Sequence, residues 1–89
     1  MEMIQSITGV NVIAEFTKNG NLVPMAVRWN DGRVFDIEKV TYSNKCIGLM
    51  TGRESRRYKV VIGGEERYLF YEANGQWFIE NKRSPIETA

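Results

Sequence analysis

Apolar and polar residues alternate along most of this chain, in short runs that asparagine and glycine interrupt. A period of two is the mark of a half-buried β-strand. The first run is Val10 to Phe16 or Thr17. Val10, Val12, Ala14 and Phe16 share a face, and Ile13 breaks the pattern on the other. Lys18-Asn19-Gly20-Asn21 predicts a hairpin turn, because Asn and Gly adopt positive φ at little cost. The second run is Leu22 to Trp29. Pro24 lacks an N–H there and belongs at an edge or near the strand's start. Asn30-Asp31-Gly32 predicts another turn. A third strand opens at Arg33 or Val34 with Phe35 and Ile37 on one face, and parity then slips to Val40 and Tyr42. A slip of one residue is what a bulge or sharp bend produces, which puts the bend near Lys39.

Residues Ser43 to Ser55 are the least regular, with Ile47 to Met50 reading as a short extra strand or as a loop over the end of the sheet. Arg56 to Ile62 alternates cleanly, with Tyr58, Val60 and Ile62 inward and Arg57, Lys59 and Val61 outward. Gly63-Gly64 turns the chain. Glu65 to Glu72 has apolar residues on both faces, Tyr68 and Phe70 on one and Leu69 and Tyr71 on the other. After Ala73-Asn74-Gly75, the last strand runs from Gln76 to Glu80 or Asn81. Eight valines, eight isoleucines and ten aromatics, with no helical stripe, make the chain all-β. A meander this small needs closure to satisfy its edges. The expected fold is therefore one strongly bent antiparallel sheet of five to seven short strands, closing as an SH3-like barrel or roll. Residues 1–9 read as an N-terminal arm, 10–81 as the small β-barrel domain, and 82–89 as a flexible tail.

With 89 residues the chain is a single domain near the lower limit for a self-sufficient core. That leaves little room for a deep cofactor pocket and makes a homodimer a natural relief. Twelve basic against eleven acidic side chains exclude a strongly polycationic nucleic-acid binder. The absence of histidine and the single cysteine exclude a disulfide framework and the common structural zinc site. No cofactor and no metal is implied. No run approaches the roughly 18 apolar residues of a membrane span, and Met1-Glu2-Met3-Ile4-Gln5 is unlike a signal peptide. The expectation is a cytoplasmic protein without membrane contact, which the free Cys46 suits.

Part of this pattern is shared more widely. Val27-Arg28-Trp29 and its turn are followed by Phe35, Ile37 and Val40, then after a variable loop by Arg57-Tyr58-Lys59-Val60 and a glycine pair. Tyr68-Leu69-Phe70-Tyr71 and Gly75-Gln76-Trp77-Phe78 complete it. Over about positions 10–80 the chain resembles a group of small uncharacterised bacterial β-barrel domains of unknown function, some associated with DNA-repair polymerase systems. The resemblance rests on aromatics and turn glycines. It implies the fold and transfers no functional residue.

Catalytic chemistry has few reagents here. Without histidine, general acid–base work falls to Asp31, Asp36, Glu38, Glu65, Glu66 and Glu72. Asp31 sits in a turn, and Glu65 and Glu66 open a strand. Asp36 and Glu38 share one face, as a paired site or simply a wet surface. Cys46 stands beside Lys45, which favours a thiolate, yet no histidine completes a catalytic pair. Gly63-Gly64 leads into a strand, which excludes a phosphate-binding loop. An enzyme using Asp36, Glu38 or Cys46 is thus the least favoured reading.

The basic run offers more. Arg53, Arg56, Arg57 and Lys59 stand against Glu54 alone within seven residues, and Arg67 lies across the hairpin. With an exposed aromatic platform such a strip binds single-stranded nucleic acid; otherwise it is a solvated face with salt links, or the contact of an acidic protein. Trp29, Phe35, Tyr58, Tyr68, Phe70 and Trp77 read as core. Tyr42, Leu69, Tyr71 and Phe78 remain as candidate interface. The leading expectation is a non-catalytic binding module contacting a protein partner or itself, with single-stranded nucleic acid as the alternative.

Overall fold

The structure is a computed structural model, described here for residues 7–81. Seven antiparallel strands form one sheet: β1 (Ile7–Phe16), β2 (Leu22–Arg28), β3 (Val34–Asp36), β4 (Lys39–Ile47), β5 (Glu54–Ile62), β6 (Glu65–Tyr71) and β7 (Trp77–Glu80). The order across the sheet is β3-β2-β1-β7-β6-β5-β4. The two edge strands are neighbours in the chain, joined through Ile37 and Glu38. Ile37 N–H donates to Met25 O at 2.9 Å and Glu38 N–H to Val61 O at 2.8 Å. Consecutive residues thus bond to opposite ends of the sheet, which curls it strongly. This seam and the register shift between Val40 and Tyr42 bracket Lys39, where the parity slip placed the bend. None of the described residues forms a helix long and apolar enough to cross a membrane.

β1 serves two partners. Ile7 to Val10 pair with β7, and Asn11 to Phe16 pair with β2. The strand opens three residues before the expected Val10, so Ile7 to Gly9 of the expected arm belong to the sheet. The rest of the arm and the tail 82–89 lie outside the described residues. Pro24 sits where β2 extends past β3, whose pairing covers Ala26 to Arg28 only. β4 runs unbroken to Ile47, so the irregularity expected from Ser43 is confined to residues 48–53.

The core forms on the inner face from Val10, Val27, Tyr58, Val60, Leu69 and Ile79. Burying each such side chain contributes about 1.5–3 kcal/mol. Tyr58 keeps its hydroxyl satisfied by donating to Leu22 O at 2.8 Å. Trp77 packs against the rings of Tyr71 and Tyr58, at 4.7 and 5.6 Å between centroids.

The faces of β6 are opposite to expectation. Register pairs Tyr58 with Leu69 and Lys59 with Tyr68. Residues directly across an antiparallel ladder share a face. Leu69 and Tyr71 therefore join Tyr58 on the inner face, while Tyr68 and Phe70 share the outer face with Arg57 and Lys59, where Phe70 is nevertheless buried, as expected of a core residue. Leu69, a candidate interface residue, is fully buried within its own chain.

Candidate binding surfaces

The basic run does not make one patch. Alternation along β5 sends Arg57 and Lys59 to the outer face and Arg56 to the inner one, where its guanidinium donates to Ser43 Oγ at 3.0 Å. Arg67, opposite Val60, lies on the inner face toward the other end of β5 and donates to Glu80 O at 3.1 Å. Arg53 is exposed in the loop before β5.

On the outer face, Arg57 lies over the Tyr68 ring at 4.8 Å, and Lys59 lies 5.7 and 5.9 Å from the rings of Tyr42 and Tyr68. Lys59 also pairs with Glu66 at 3.2 Å, and this carboxylate raises the lysine's pKa. The two tyrosine hydroxyls stand 3.5 Å apart. These rings already carry cations and Lys59 is countered by Glu66, whereas the buried Arg57 Nε, and Asn44 Oδ1 on the neighbouring strand, have no hydrogen-bond partner among the described residues. The four candidate interface residues divide in the same way: Tyr42 and Phe78 face out, while Leu69 and Tyr71 face in.

The catalytic candidates do not converge. Asp36, at the end of β3, and Glu38, within the seam, are both exposed. Burial pushes the Cys46 thiol up and Glu72 adds to the rise, against lowering by Arg57 and Arg56. That is the reverse of an activated nucleophile. Among the described residues no group of three or more His, Cys, Asp or Glu side chains is placed to hold a metal ion.

Two other features stand out, one at each end of β5. At its start, the loop 48–53 folds over Glu72, whose side chain is fully buried. The carboxylate accepts from Leu49 N–H (3.1 Å), Thr51 N–H (3.1 Å) and the Thr51 hydroxyl (2.9 Å). Gly48 makes this possible, since a Cβ there would collide with Glu72 Oε1, Ser55 Oγ and Thr51 Oγ1. A buried carboxylate is tolerated only when hydrogen-bonded, and here three donors supply that. The loop so held turns large apolar side chains into solvent: Ile47 is 69% exposed, Leu49 46% and Met50 62%. The sequence signal was an apolar pair, Leu49-Met50, between two glycines where a turn is normally polar. The role of Glu72 had no local signal, because its partners lie more than 20 residues away.

At the far end of β5 an open groove of about 570 Å³ lies between β3 and the β5–β6 hairpin. Buried Val27 and Ile79 form its floor, with Trp29, Phe35 and Ile62 as walls and Arg33 and Arg67 among its lining. Trp29 and Phe35 were read as core. Trp29 packs against the core, whereas Phe35 is 37% exposed and is not part of it. Arg33 is held by Asp31 at 2.7 Å and lies over the Phe35 ring at 5.4 Å.

Compared with known proteins, the chain matches no family model, no curated protein and no solved structure.

Proposed function

We propose that the chain is a non-catalytic binding module that contacts a protein partner, or a second copy of itself, through the tip formed by Ile47, Leu49 and Met50. One observation carries this reading: a fully buried carboxylate holds the backbone of a loop whose apolar side chains stay in solvent. Exposed apolar clusters of this kind mark contact sites, and a fixed backbone lowers the ordering entropy that association costs. Met and Leu adapt to the surface they meet. Lys45 is countered by Glu54 at 3.3 Å, which leaves the exposed Arg53 beside the tip as a cation for steering.

Photocrosslinking tests the reading. Benzoylphenylalanine at Met50 is expected to give a discrete protein adduct in cells, lost when Leu49→Ser is added. The same group at Asn19, in the β1–β2 turn, is expected to give none. An adduct of twice the chain's mass identifies a second copy as the partner. Equal adducts from both positions, or adducts that nuclease removes, would overturn the proposal.

A further inference from the structure

One wall of the groove at the opposite end of β5 is β3, which pairs with β2 on one edge and with no strand of the described residues on the other. Trp29 N–H donates to Arg33 O at 2.7 Å, and Ile37 N–H donates to Met25 O at 2.9 Å. Between these points β2 and β3 pair Val27 with Phe35. Hydrogen-bonded pairs alternate along an antiparallel ladder, so Arg33, Phe35 and Ile37 direct their backbone groups toward β2. Val34, Asp36 and Glu38 must direct theirs the other way. Glu38 finds a partner there, donating to Val61 O at 2.8 Å. At Asp36 and Val34 no described strand lies opposite, because β5 ends at Ile62 and turns at Gly63-Gly64. The ladder between this edge and β5 therefore stops with its next two rungs vacant, beside an apolar groove.

We infer that an extended peptide segment with apolar and acidic side chains adds as a strand to the free edge of β3 and lays alternate side chains into this groove. Strand addition draws affinity from main-chain bonds and specificity from pockets for alternate residues. The Val34 and Asp36 amides and carbonyls supply the first. For the second, Phe35 and Ile62 receive an apolar side chain over the floor of Val27 and Ile79. The charges along the groove select the flanking groups. Two guanidiniums, Arg33 and Arg67, line it with Glu65, which has an interaction of its own, and Arg33 is countered by Asp31 at 2.7 Å, so the selection rests on Arg67, which donates to the Glu80 carbonyl. The Arg67 guanidinium offers five N–H donors in a planar fork, so it can add a carboxylate to the carbonyl bond it already makes. β1 beyond Val10 also has an edge without β7, but it carries a register shift between Ile13 and Ala14 and the charge of Glu15. The register shift opposes strand addition there; β3 carries the charge of Asp36 but has no such shift.

This site is independent of the Met50 tip, and its test reads different residues. The probe is acetyl-Glu-Thr-Val-Thr-Glu-amide, titrated into the full chain labelled with nitrogen-15. Saturable shifts are expected at the Val34 and Asp36 amides and at the Trp29 indole, with Kd in the range of about 0.1–1 mM. The Trp77 indole, packed on Tyr58 and Tyr71, should stay still. Replacing both glutamates of the peptide by lysine, or Arg67→Gln in the protein, should weaken binding roughly tenfold to a hundredfold, the worth of one charge-assisted hydrogen bond. The lysine peptide serves alone if Arg67→Gln disturbs the spectrum. A peptide methylated on its backbone nitrogens should not bind. Equal binding of the lysine peptide, undiminished binding of the methylated one, or no saturable shift at Val34 and Asp36 would each overturn the inference.

Discussion

The two ends of β5 solve opposite problems with the same materials. At its start, polar groups turn inward: Glu72 is buried and gathers three donors from residues 49–51, so the backbone is fixed and apolar side chains are left outside. At its finish, apolar groups turn inward as the floor of a groove, and the vacant positions are backbone amides and carbonyls of β3. The first end is a rigid projection and the second an open receptacle. In a domain with so small a core, one buried carboxylate can hold a loop only where its donors come from that loop.

The comparison makes the closed end the more fragile. Glu72→Ala removes the acceptor of two amides and a hydroxyl, and the expected loss is about 3 kcal/mol in urea denaturation. Gly48→Ala, which drives a methyl group into the same cluster, should cost about 1–3 kcal/mol by overpacking. Amide exchange at Leu49 and Thr51 should accelerate in both variants, while Val60 and Leu69 stay protected to the level of global unfolding. A loss below about 0.5 kcal/mol in Glu72→Ala, with slow exchange retained at Leu49, would mean that the loop holds itself and that Glu72 is incidental.

The open end should tolerate more. Phe35→Ala is expected to cost roughly 1–2 kcal/mol, below the ~3–5 kcal/mol of a fully buried phenylalanine. A cost at the upper figure would place Phe35 in the core and shrink the groove to a crevice.

How far the sequence foretold these ends depends on the range of the interactions. Turn glycines and alternating side chains are local signals, and the all-β fold, the turns and the bend near Lys39 follow from them. The faces of β6 were also legible. A two-residue turn at Gly63-Gly64 sets Ile62 opposite Glu65, and counting back sets Tyr58 opposite Leu69. Reading β6 by its aromatics, instead of by the turn, put Tyr68 inside and Leu69 outside. The basic run failed for a related reason. Proximity along a strand is not proximity on a face, and Arg56 and Arg57 cannot share one. Glu72 and the β3 edge were beyond reach, since one depends on a loop 21–23 residues away and the other on where β5 stops.

Cys46 offers the finest reading of the closed end. It lies opposite Ser55, just before the pinned loop, half-buried. Burial raises its pKa, and Glu72 adds to the rise. The folded chain therefore holds the thiol proton at a pH where the unfolded chain releases it, so this group's contribution to stability is complete below the ordinary thiol range and fades as pH rises through it. Reactivity follows the thiolate. Alkylation of the native protein by iodoacetamide at mildly alkaline pH should be slower than that of the same chain in concentrated urea, and its pH profile should lie at higher pH. Glu72→Gln should move the native profile back down, because a negative neighbour is gone. If the native thiol instead reacts faster than the unfolded one, Arg56 and Arg57 outweigh burial, the start of β5 is open to solvent, and the contrast between the two ends is lost.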